Sequence, residues 1–476
     1  MQDLRRFYID GQWVPAVGRP ERTIVSPATE QPLGAVSLGT GADVEVAVAA
    51  ARRAFETYSL STREERLDLL QRLDDAYMAR FEDIAQAISA EVGAPITLAR
   101  GLQAQTGVIH IKTCTEILRS YRFFEDRGST RIAREPVGVC GLITPWNWPI
   151  NQICVKLIPA LAAGCTVVLK PSEVTPACAS ILAEVMAAAG VPPGVFNLIH
   201  GDGPTVGEAI AAHPGIDMIS FTGSTRAGIQ VGRTAAGTVK RVALELGGKS
   251  PYLLLPDADV DAAVAACVDW IILNSGQSCS APTRLLVPVQ MMDRVTERAI
   301  ALMSKAVIGD PADEATTMGP VVSKVQWDRV QRLIRSGIEQ GANLALGGLG
   351  LPGGFKRGYF VRPTLFTGVC NDMLIAREEI FGPVLCVLPY SDEDEAVSIA
   401  NDTNYGLAAY VASSDAERGR RIAARLRAGS VYFNGTGIDP LAPFGGYKQS
   451  GNGREWGVFG FEEYLETKAM LGLGVA

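Results

Sequence analysis

Histidine is scarce in this sequence and no two cysteines form a CxxC pair, so the chain offers no recognisable set of metal ligands. Three histidines, His110, His200 and His213, are spread over 476 residues without an HExxH motif. Neither they nor the nine cysteines have the spacing of a zinc site. We therefore predict no metal centre. A cysteine protease is also disfavoured, because its thiol needs a histidine partner.

The sequence also lacks a basic surplus and a long apolar run. Its 44 Lys and Arg residues face 51 Asp and Glu residues, a net charge of −7, which leaves no surplus for neutralising nucleic-acid phosphates. The most apolar region, 139–170, is interrupted by prolines and polar residues, so it falls short of a membrane span of about 18 residues. Residues 1–10 lack the pattern of a secretory signal. With reduced thiols, these features predict a cytoplasmic protein that binds neither nucleic acid nor membranes.

What is present is the composition of a large globular protein. Hydrophobic residues make up 47% of the chain and charged residues 20%, and a chain of this length suggests about three compact units. The Ala- and Leu-rich stretches 43–54 and 64–92 have apolar residues at helical spacing. We expect these helices to cover a sheet.

From residue 137 onward, short apolar runs alternate with Ala-rich helical runs. The predicted strands are 138–143, 166–169, 195–199, 217–221 and 241–246. Repeated strand–helix units predict a parallel sheet with a ligand crevice at the carboxyl ends of its strands. A second α/β series starts at residue 257, with a helix to 274, a strand at 284–287, a helix at 291–307 and further alternation to 434. The segments 119–136 and 466–474 are strand candidates of the kind that pair at an edge.

Two residues are candidates for covalent chemistry. Cys279 has small neighbours and lies in a turn between a predicted helix and a predicted strand, so its sulfur is accessible to a substrate. Glu245 lies within an apolar strand that ends in two glycines. Burial raises the pKa of a carboxylate and suits it for general-base work. A salt bridge to a neighbouring Lys or Arg is the alternative interpretation of Glu245.

Three turns at predicted strand ends are candidates for binding. The GxxxxG turn that contains Gly223 and Ser224 opens a helix, where free backbone N–H groups hold phosphates; a plain helix start capped by Ser224 or Thr222 fits equally well. Lys170 and Glu173 end another strand, and the carboxylate is suited to accept hydrogen bonds from ribose hydroxyls. Asn147 is flanked by two tryptophans and two prolines. Its side chain is either a donor to an oxyanion or part of a purely structural turn.

Five motifs, in this order, resemble the aldehyde dehydrogenase superfamily over essentially the whole chain. They are PWNWP (145–149), LELGGK (244–249), GQSC (276–279), EEIFGPV (378–384) and PFGGYKQSGNGRE (443–455). The resemblance implies an α/β fold with a Rossmann-like cofactor domain, a second α/β catalytic domain and a small β oligomerisation flap. The implied bounds are 1–118 and 140–247 for the cofactor domain, 248–461 for the catalytic domain, and 119–139 and 462–476 for the flap. A homodimer or homotetramer is the implied assembly.

The resemblance also implies a role for each motif residue. Cys279 would be the nucleophile, and Asn147 with the backbone N–H of Cys279 would form the oxyanion hole. Glu245 would activate the hydrolytic water, and Lys156 and Glu455 match positions linked to proton relay. The implied cofactor-binding residues are Thr144, Trp146, Lys170, Ser172, Glu173, Gly203, Phe221, Gly223, Ser224, Leu246, Glu379 and Phe381.

The implied reaction is oxidation of an aldehyde to the carboxylic acid through a thiohemiacetal and a thioester, which Glu245 then helps to hydrolyse rather than pass to coenzyme A. NAD is predicted over NADP because Glu173 would repel a 2′-phosphate, although Lys170 offsets this and leaves NADP possible.

The substrate prediction comes from the positions that the family places near its tunnel. These are Trp148, Asn151, Gln152, Val155, Ser278, Ser280 and the loop 435–443. None is basic, which predicts a neutral, apolar or aromatic aldehyde. A carboxylated semialdehyde, a catalytically silent binding relative and a thiol esterase side activity stay open.

Overall fold

Two large sheets and two small ones organise the chain. The protein is described from a computed structural model over residues 2–16 and 18–474, so the predicted domain limits at residues 1 and 475–476 lie outside the described residues. The strands are β1 (Gln2–Leu4), β2 (Arg6–Ile9), β3 (Gln12–Pro15), β4 (Glu21–Val25), β5 (Pro32–Ser37), β6 (Phe124–Arg127), β7 (Thr130–Pro136), β8 (Val139–Ile143), β9 (Thr166–Lys170), β10 (Phe196–Leu198), β11 (Met218–Thr222), β12 (Arg241–Glu245), β13 (Pro251–Leu254), β14 (Arg284–Pro288), β15 (Asn343–Leu346), β16 (Thr364–Thr367), β17 (Val384–Tyr390), β18 (Ala408–Ala412), β19 (Ser430–Phe433), β20 (Gly451–Asn452) and β21 (Leu465–Leu471).

Helices surround both large sheets. They are α1 (Gly41–Tyr58), α2 (Arg63–Ala79), α3 (Phe81–Val92), α4 (Ile96–Leu98), α5 (Gln105–Ser120), α6 (Pro149–Ala163), α7 (Ala177–Ala188), α8 (Glu208–Ala212), α9 (Thr225–Ala235), α10 (Val260–Ile272), α11 (Met292–Met303), α12 (Lys324–Glu339), α13 (Leu374–Arg377), α14 (Glu393–Asn401), α15 (Ala416–Ala423) and α16 (Gly457–Glu462). Among the described residues, none of the helices is long and apolar enough to cross a membrane.

The first large sheet has eight strands in the order β20-β12-β11-β8-β9-β10-β2-β3. The five central strands, β12 to β10, are parallel, and antiparallel strands extend both edges. All residues of β8, β9 and β11 are buried, because helices cover both faces of a parallel sheet. The five predicted strands are confirmed to within one or two residues at each end.

The second large sheet has the order β15-β16-β17-β14-β13-β18-β19, and it is parallel except for the edge strand β15. The chain runs from α10 through the loop 273–283 into β14, which places Cys279 at the amino end of β14. This loop faces the end of β12, since a Cβ on Gly248 would lie 2.3 Å from the carbonyl oxygen of Cys279.

The two predicted edge segments pair with each other. Strands β6, β7 and β21 form a three-stranded antiparallel sheet, with Leu465 opposite Pro136 and Leu471 opposite Thr130. Arg119 and Ser120, which the implied flap included, are instead the last residues of α5. A second small sheet joins β1, β5 and β4.

The stretch 64–92 is helical as predicted, but it is divided at one point. The chain leaves the helical conformation at Arg80, with φ −113° and ψ 10°, and so divides it into α2 and α3. The Arg80 side chain bonds Asp83 at 2.6 Å and also pairs with Glu184 on α7. The corner therefore turns α3 towards α7, through contacts far apart in sequence.

Candidate active site

Cys279 lies where two cavities meet. A cavity of about 460 Å³ extends towards the first sheet, and one of about 320 Å³ extends away from it. Cys279 and Gln152 line both cavities. A reactive sulfur at such a junction is open to one ligand from each side.

The loop before Cys279 is tightly bent. Asn274, Ser275 and Gly276 have φ values of 51°, 55° and 71°, the left-handed region that favours glycine. A Cβ on Gly276 would lie 2.2 Å from the carbonyl oxygen of Gly382. Only glycine fits there, so the GQSC motif packs directly on the EEIFGPV motif.

The thiol of Cys279 is protonated at rest. Burial raises the pKa of Cys279 to about 12, and the carboxylates of Glu379, Glu245 and Glu455 act in the same direction. A thiolate in this position therefore requires a base that accepts the proton.

Asn147 is held by the cysteine loop. Its Nδ2 donates to the carbonyl oxygen of Gln277 at 3.1 Å, and its own carbonyl oxygen accepts from Nδ2 of Asn274 at 2.9 Å. Because a side-chain amide has two N–H groups, one remains for a ligand beside Cys279, and Asn147 lines the larger cavity with Cys279. The structural and functional interpretations of this turn are thus compatible.

Glu245 ends β12 and carries no ion pair within the described residues. Its side chain is 5% exposed, and neither carboxylate oxygen has a hydrogen-bond partner there. Burial raises the pKa of Glu245 well above its usual value; the charge of Glu455 adds to this, and that of Lys156 opposes it. The salt-bridge interpretation is wrong, and the site holds a buried carboxyl group with a raised pKa and no partner among the described residues.

Lys156 and Glu455 form a buried ion pair between α6 and the turn before α16. The lysine side chain is 0% exposed, while Glu455 lines the smaller cavity. Both influence the pKa of Glu245. The pair therefore lies within electrostatic range of Glu245.

The larger cavity brings together half of the predicted cofactor residues. They are Trp146, Gly223, Ser224, Leu246, Glu379 and Phe381. Ser224 caps α9 by accepting from the N–H of Ala227 at 3.3 Å, and the start of that helix opens into the cavity. Burial raises the pKa of Glu379 to about 7, although its carboxylate accepts from the N–H of Gly248 at 2.9 Å.

The other predicted cofactor residues are not among those lining this cavity, but they lie at the same edge of the sheet. They are Thr144, Lys170, Ser172, Glu173, Gly203 and Phe221. Lys170 pairs with Glu173 at 3.2 Å. Arg22 on β4 pairs with the same carboxylate at 3.4 Å, a neighbour that no local motif indicated because it lies 151 residues away.

The residues at this edge fit a dinucleotide. The cleft lies at the carboxyl ends of parallel strands and includes the amino end of a helix, as dinucleotide sites require. The rings of Trp146 and Phe381 lie 5.4 Å apart at 84° and form an aromatic wall. Glu173 and Glu379 are carboxylates suited to the two ribose groups.

The smaller cavity is mostly apolar. No lysine or arginine of the described chain is among its lining residues, and Glu455 is its charged one. Of the predicted tunnel positions, Trp148, Asn151, Gln152, Ser278, Ser280 and part of the loop 435–443 line it, whereas Val155 is buried elsewhere. Sequence reasoning missed Leu102, Thr106, Ile109, Trp270, Leu273 and Trp456, because apolar residues near helices resemble core positions.

The histidines have other partners. His110 bonds Asn151 at 2.8 Å, His200 bonds Ser180 at 2.9 Å and His213 bonds Glu45 at 2.9 Å. In the described ranges, no cluster of three or more His, Cys, Asp or Glu side chains is arranged to hold a metal ion. All nine cysteines are free thiols.

A dinucleotide cleft and an apolar tunnel that meet at a cysteine fit a nicotinamide-dependent oxidoreductase. Residues 13–470 match the model of the aldehyde dehydrogenase family, and the chain belongs to that family. It is an NAD(P)-dependent aldehyde dehydrogenase, and the predicted family, fold class, enzyme class and cofactor, NAD with NADP possible, are confirmed.

Individual relatives match over almost their whole length. The chain is 55% identical over 473 residues to 3-succinoylsemialdehyde-pyridine dehydrogenase from a Pseudomonas species, covering 99% of both chains. It is 52% identical to the solved aldehyde dehydrogenase C mutant of Pseudomonas syringae in complex with NAD+ and octanal, with TM-score 0.98 and coverage of 99% and 97%. It is 39% identical to the Mycobacterium tuberculosis aldehyde dehydrogenase complexed with NAD+, with TM-score 0.96 and coverage of 99% and 98%.

Proposed function

We propose that this protein oxidises a neutral aldehyde to its carboxylic acid, with Cys279 as the nucleophile and Glu245 as the base for hydrolysis. The observation that carries the proposal is the position of Cys279, between a cleft that fits a dinucleotide and an apolar tunnel. Those two cavities supply the two reactants to one sulfur atom.

The first half of the reaction forms a thioester. The thiol of Cys279 gives its proton to a base, directly or through water, and the sulfur bonds to the aldehyde carbon while the C=O π electrons move to oxygen. Asn147 Nδ2 and the backbone N–H of Cys279 donate to this oxyanion. NAD+, when bound, supplies the hydride acceptor. The carbon then loses its hydride, and the oxyanion electrons restore the C=O bond.

The second half regenerates the enzyme. Glu245 takes a proton from water, and the water oxygen bonds to the thioester carbon. The same two donors hold the oxyanion until the C–S bond breaks and its electrons return to sulfur. Lys156 and Glu455 are proposed to carry the proton from Glu245 towards solvent. The balance is one aldehyde, one water and one NAD+ to one acid, one NADH and one proton.

The lining of the smaller cavity supports a substrate without a carboxylate. Three tryptophans, Trp148, Trp270 and Trp456, offer apolar contact area. Glu455 would repel a second carboxylate, and no cation of the described lining would bind one. The names of two relatives are consistent with such a substrate. One relative is named for a pyridine that carries a succinoyl semialdehyde, and the other is solved in complex with octanal. An apolar or aromatic aldehyde is therefore our proposed substrate class.

The test is NADH absorbance with octanal, benzaldehyde, a pyridyl keto-aldehyde and succinate semialdehyde, for wild type and Cys279→Ala. We expect the neutral aldehydes to have the higher kcat/KM and Cys279→Ala to be inactive. Highest kcat/KM with succinate semialdehyde would contradict the substrate class and favour the carboxylated alternative. No NADH with any aldehyde, in a folded protein that binds NAD+, would favour a silent binding relative.

The assembly and location belong to the same proposal. The three-stranded sheet β6-β7-β21 carries exposed Phe124 and Leu471, which suits it to bind a second copy as the implied flap of a homodimer or homotetramer. The domain limits given above and a cytoplasmic location also stay predictions. A mass measurement by light scattering tests the assembly, and a monomer at micromolar concentration would contradict it.

A further inference from the structure

A chain of buried side-chain amides leads from the region before α5 to the cysteine loop. It links the side-chain amides of Gln103, Asn274 and Asn147 with the main-chain carbonyl oxygens of Asn147 and Gln277. Gln103 is 0% exposed and Asn274 is 1% exposed. None of the five family motifs contains Gln103 or Asn274, so the chain joins motif residues to residues outside them.

Every bond in this chain has a defined direction. Gln103 Nε2 donates to Oδ1 of Asn274 at 3.1 Å. Asn274 Nδ2 donates to the carbonyl oxygen of Asn147 at 2.9 Å and to that of Gln277 at 3.3 Å. The oxygen of Gln277 also accepts from Asn147 Nδ2 at 3.1 Å. The Nδ2 group of Asn274 thus binds the backbone of Asn147 and also the carbonyl oxygen of Gln277, which is the partner of the Asn147 side chain.

The carbonyl oxygens of Asn147 and Gln277 orient the Asn274 amide at its inner end, and Gln103 completes this orientation at its outer end. If the Asn274 amide turned over, its oxygen would face two carbonyl oxygens, and its N–H groups would lose both acceptors. At the outer end of Asn274, Gln103 Nε2 donates to Oδ1, so this end must be the amide oxygen. Without Gln103, that outer end becomes a buried acceptor with no donor, which is unfavourable.

The cysteine loop needs such support. Asn274 and Ser275 both have left-handed φ values, and non-glycine residues keep this conformation only where their surroundings impose it. Further bonds fix the same loop, from Ser275 Oγ to the oxygen of Gly319 at 2.7 Å and from the N–H of Val322 to Gln277 Oε1 at 2.8 Å. Gln103 ends a π-helical turn, 99–103, a feature often found at functional sites.

We infer that Gln103 is a positioning residue: it sets the Asn274 amide, which in turn aims the free N–H of Asn147 at the substrate oxygen. The inference rests on the proposed roles of Cys279 and Asn147. Gln103 itself does not touch the reacting atoms. Its loss should therefore slow steps that create an oxyanion and spare steps on the same sulfur that create none.

Two reagents separate these effects without cofactor. Iodoacetamide alkylates the thiol by displacement and forms no oxyanion, whereas p-nitrophenyl acetate acylates it through a tetrahedral oxyanion and releases p-nitrophenolate in a burst. For Gln103→Met we expect burst acylation about tenfold slower, by loss of alignment, and alkylation unchanged. A fall in both rates, or in neither, would overturn the inference.

Gln103→Glu gives the same test within one protein as pH changes. A neutral glutamic acid donates to Asn274 Oδ1 as the amide does, and an ionised one does not. We expect its acylation-to-alkylation ratio to match wild type at low pH and to fall as the carboxyl ionises, while the wild-type ratio stays level. A ratio for Gln103→Glu that follows wild type at every pH would contradict the inference even if Gln103→Met fails to fold.

Two controls complete the design. Gln331 on α12 is also buried, with one amide end bonded to the N–H of Gly350 at 2.7 Å and the other unpartnered among described residues, so Gln331→Met should change neither rate. Cys279→Ala should abolish the burst and the labelling of residue 279. If it keeps the burst, the proposed nucleophile is wrong and the inference falls with it; if it loses the burst while Gln103→Met behaves as wild type, the inference alone is wrong.

Discussion

At the scale of single residues, burial sets the chemistry of the site more than ion pairing does. Glu245, Glu379 and Cys279 all have pKa values raised by burial. Burial thus favours the neutral form of each of these groups.

For Glu245 we expect a rate of hydrolysis that rises with pH. The carboxylate form of Glu245, which acts as the base, exists above the raised pKa. Turnover should therefore still be increasing at pH values above the usual carboxyl range. Glu245→Gln should leave a single burst of NADH and lower steady-state turnover by about 10²–10⁴-fold. Stopped-flow absorbance checks both; sustained wild-type turnover in Glu245→Gln would exclude this base.

Glu379 should control the acidity of the Cys279 thiol. After burial, it is the strongest influence that raises the pKa of Cys279, so Glu379→Gln should accelerate alkylation by iodoacetamide. Since the pKa of Glu379 is about 7, the acceleration should be greater at about pH 9 than at about pH 6. Glu378→Gln, which removes a half-exposed carboxylate paired with Arg329, is the control and should change the rate little. An equal acceleration at both pH values would count against this account.

The Glu173 carboxylate should decide between the two nicotinamide cofactors. It pairs with both Lys170 and Arg22, and Glu173→Gln would leave two cations for a 2′-phosphate. We expect NADP binding about tenfold tighter and NAD binding weaker. Calorimetric titration with each cofactor measures this, and the double variant with Arg22→Gln should lose the gain. Unchanged NADP affinity in Glu173→Gln would show that the cations do not reach the phosphate.

At the scale of elements, the cysteine loop depends on one glycine. An alanine at Gly276 would have a left-handed φ and a Cβ 2.2 Å from the oxygen of Gly382, so Gly276→Ala should cost about 2 kcal/mol or more of unfolding free energy. Gly232→Ala within α9 has room for the methyl group and should gain about 0.5–1 kcal/mol. Chemical denaturation compares the two, and equal effects would contradict the strain at Gly276.

The sequence predicted the elements whose signals are local and missed those set by distant contacts. Apolar runs located β8, β9 and β11, whose residues are all buried, and also β12, in which Ala243 and Glu245 are buried. The corner at Arg80 has neither glycine nor proline to announce it, and it depends on Glu184 of a distant helix. For the same reason, motifs located Cys279, Glu245 and Asn147, while Arg22, Gln103 and Trp270 reach the site only through the folded chain.

At the scale of the whole molecule, the two large sheets are joined around the site. Strand β20 lies beyond β18 and β19 in sequence, yet it pairs with β12 beside Glu245. Ser450 makes hydrogen bonds next to both sheets. Its carbonyl oxygen accepts from the N–H of Leu246, just after β12, at 2.9 Å. Its Oγ accepts from the N–H of Gly406, just before β18, at 2.9 Å. The two sheets therefore cannot separate without breaking the edge that holds the base.

This edge leads to a prediction for unfolding. We expect the protein to unfold in one thermal transition. The near-ultraviolet circular dichroism of the tryptophans and the selective labelling of Cys279 should be lost at the same temperature. Asn452→Ala, which removes the acceptor Oδ1 of the Leu244 N–H at 3.0 Å, should lower that transition temperature modestly without splitting it. Two separate transitions would show that the sheets unfold independently.

The late position of β20 also has a consequence for synthesis on the ribosome. Glu245 and the rest of β12 emerge about two hundred residues before the strand that completes their sheet edge. During that interval the edge of β12 is open to pairing with any other extended chain. A nascent chain is thus vulnerable to aggregation until residues 451–452 appear. We expect slow translation of the stretch between the two strands to lower soluble yield rather than specific activity.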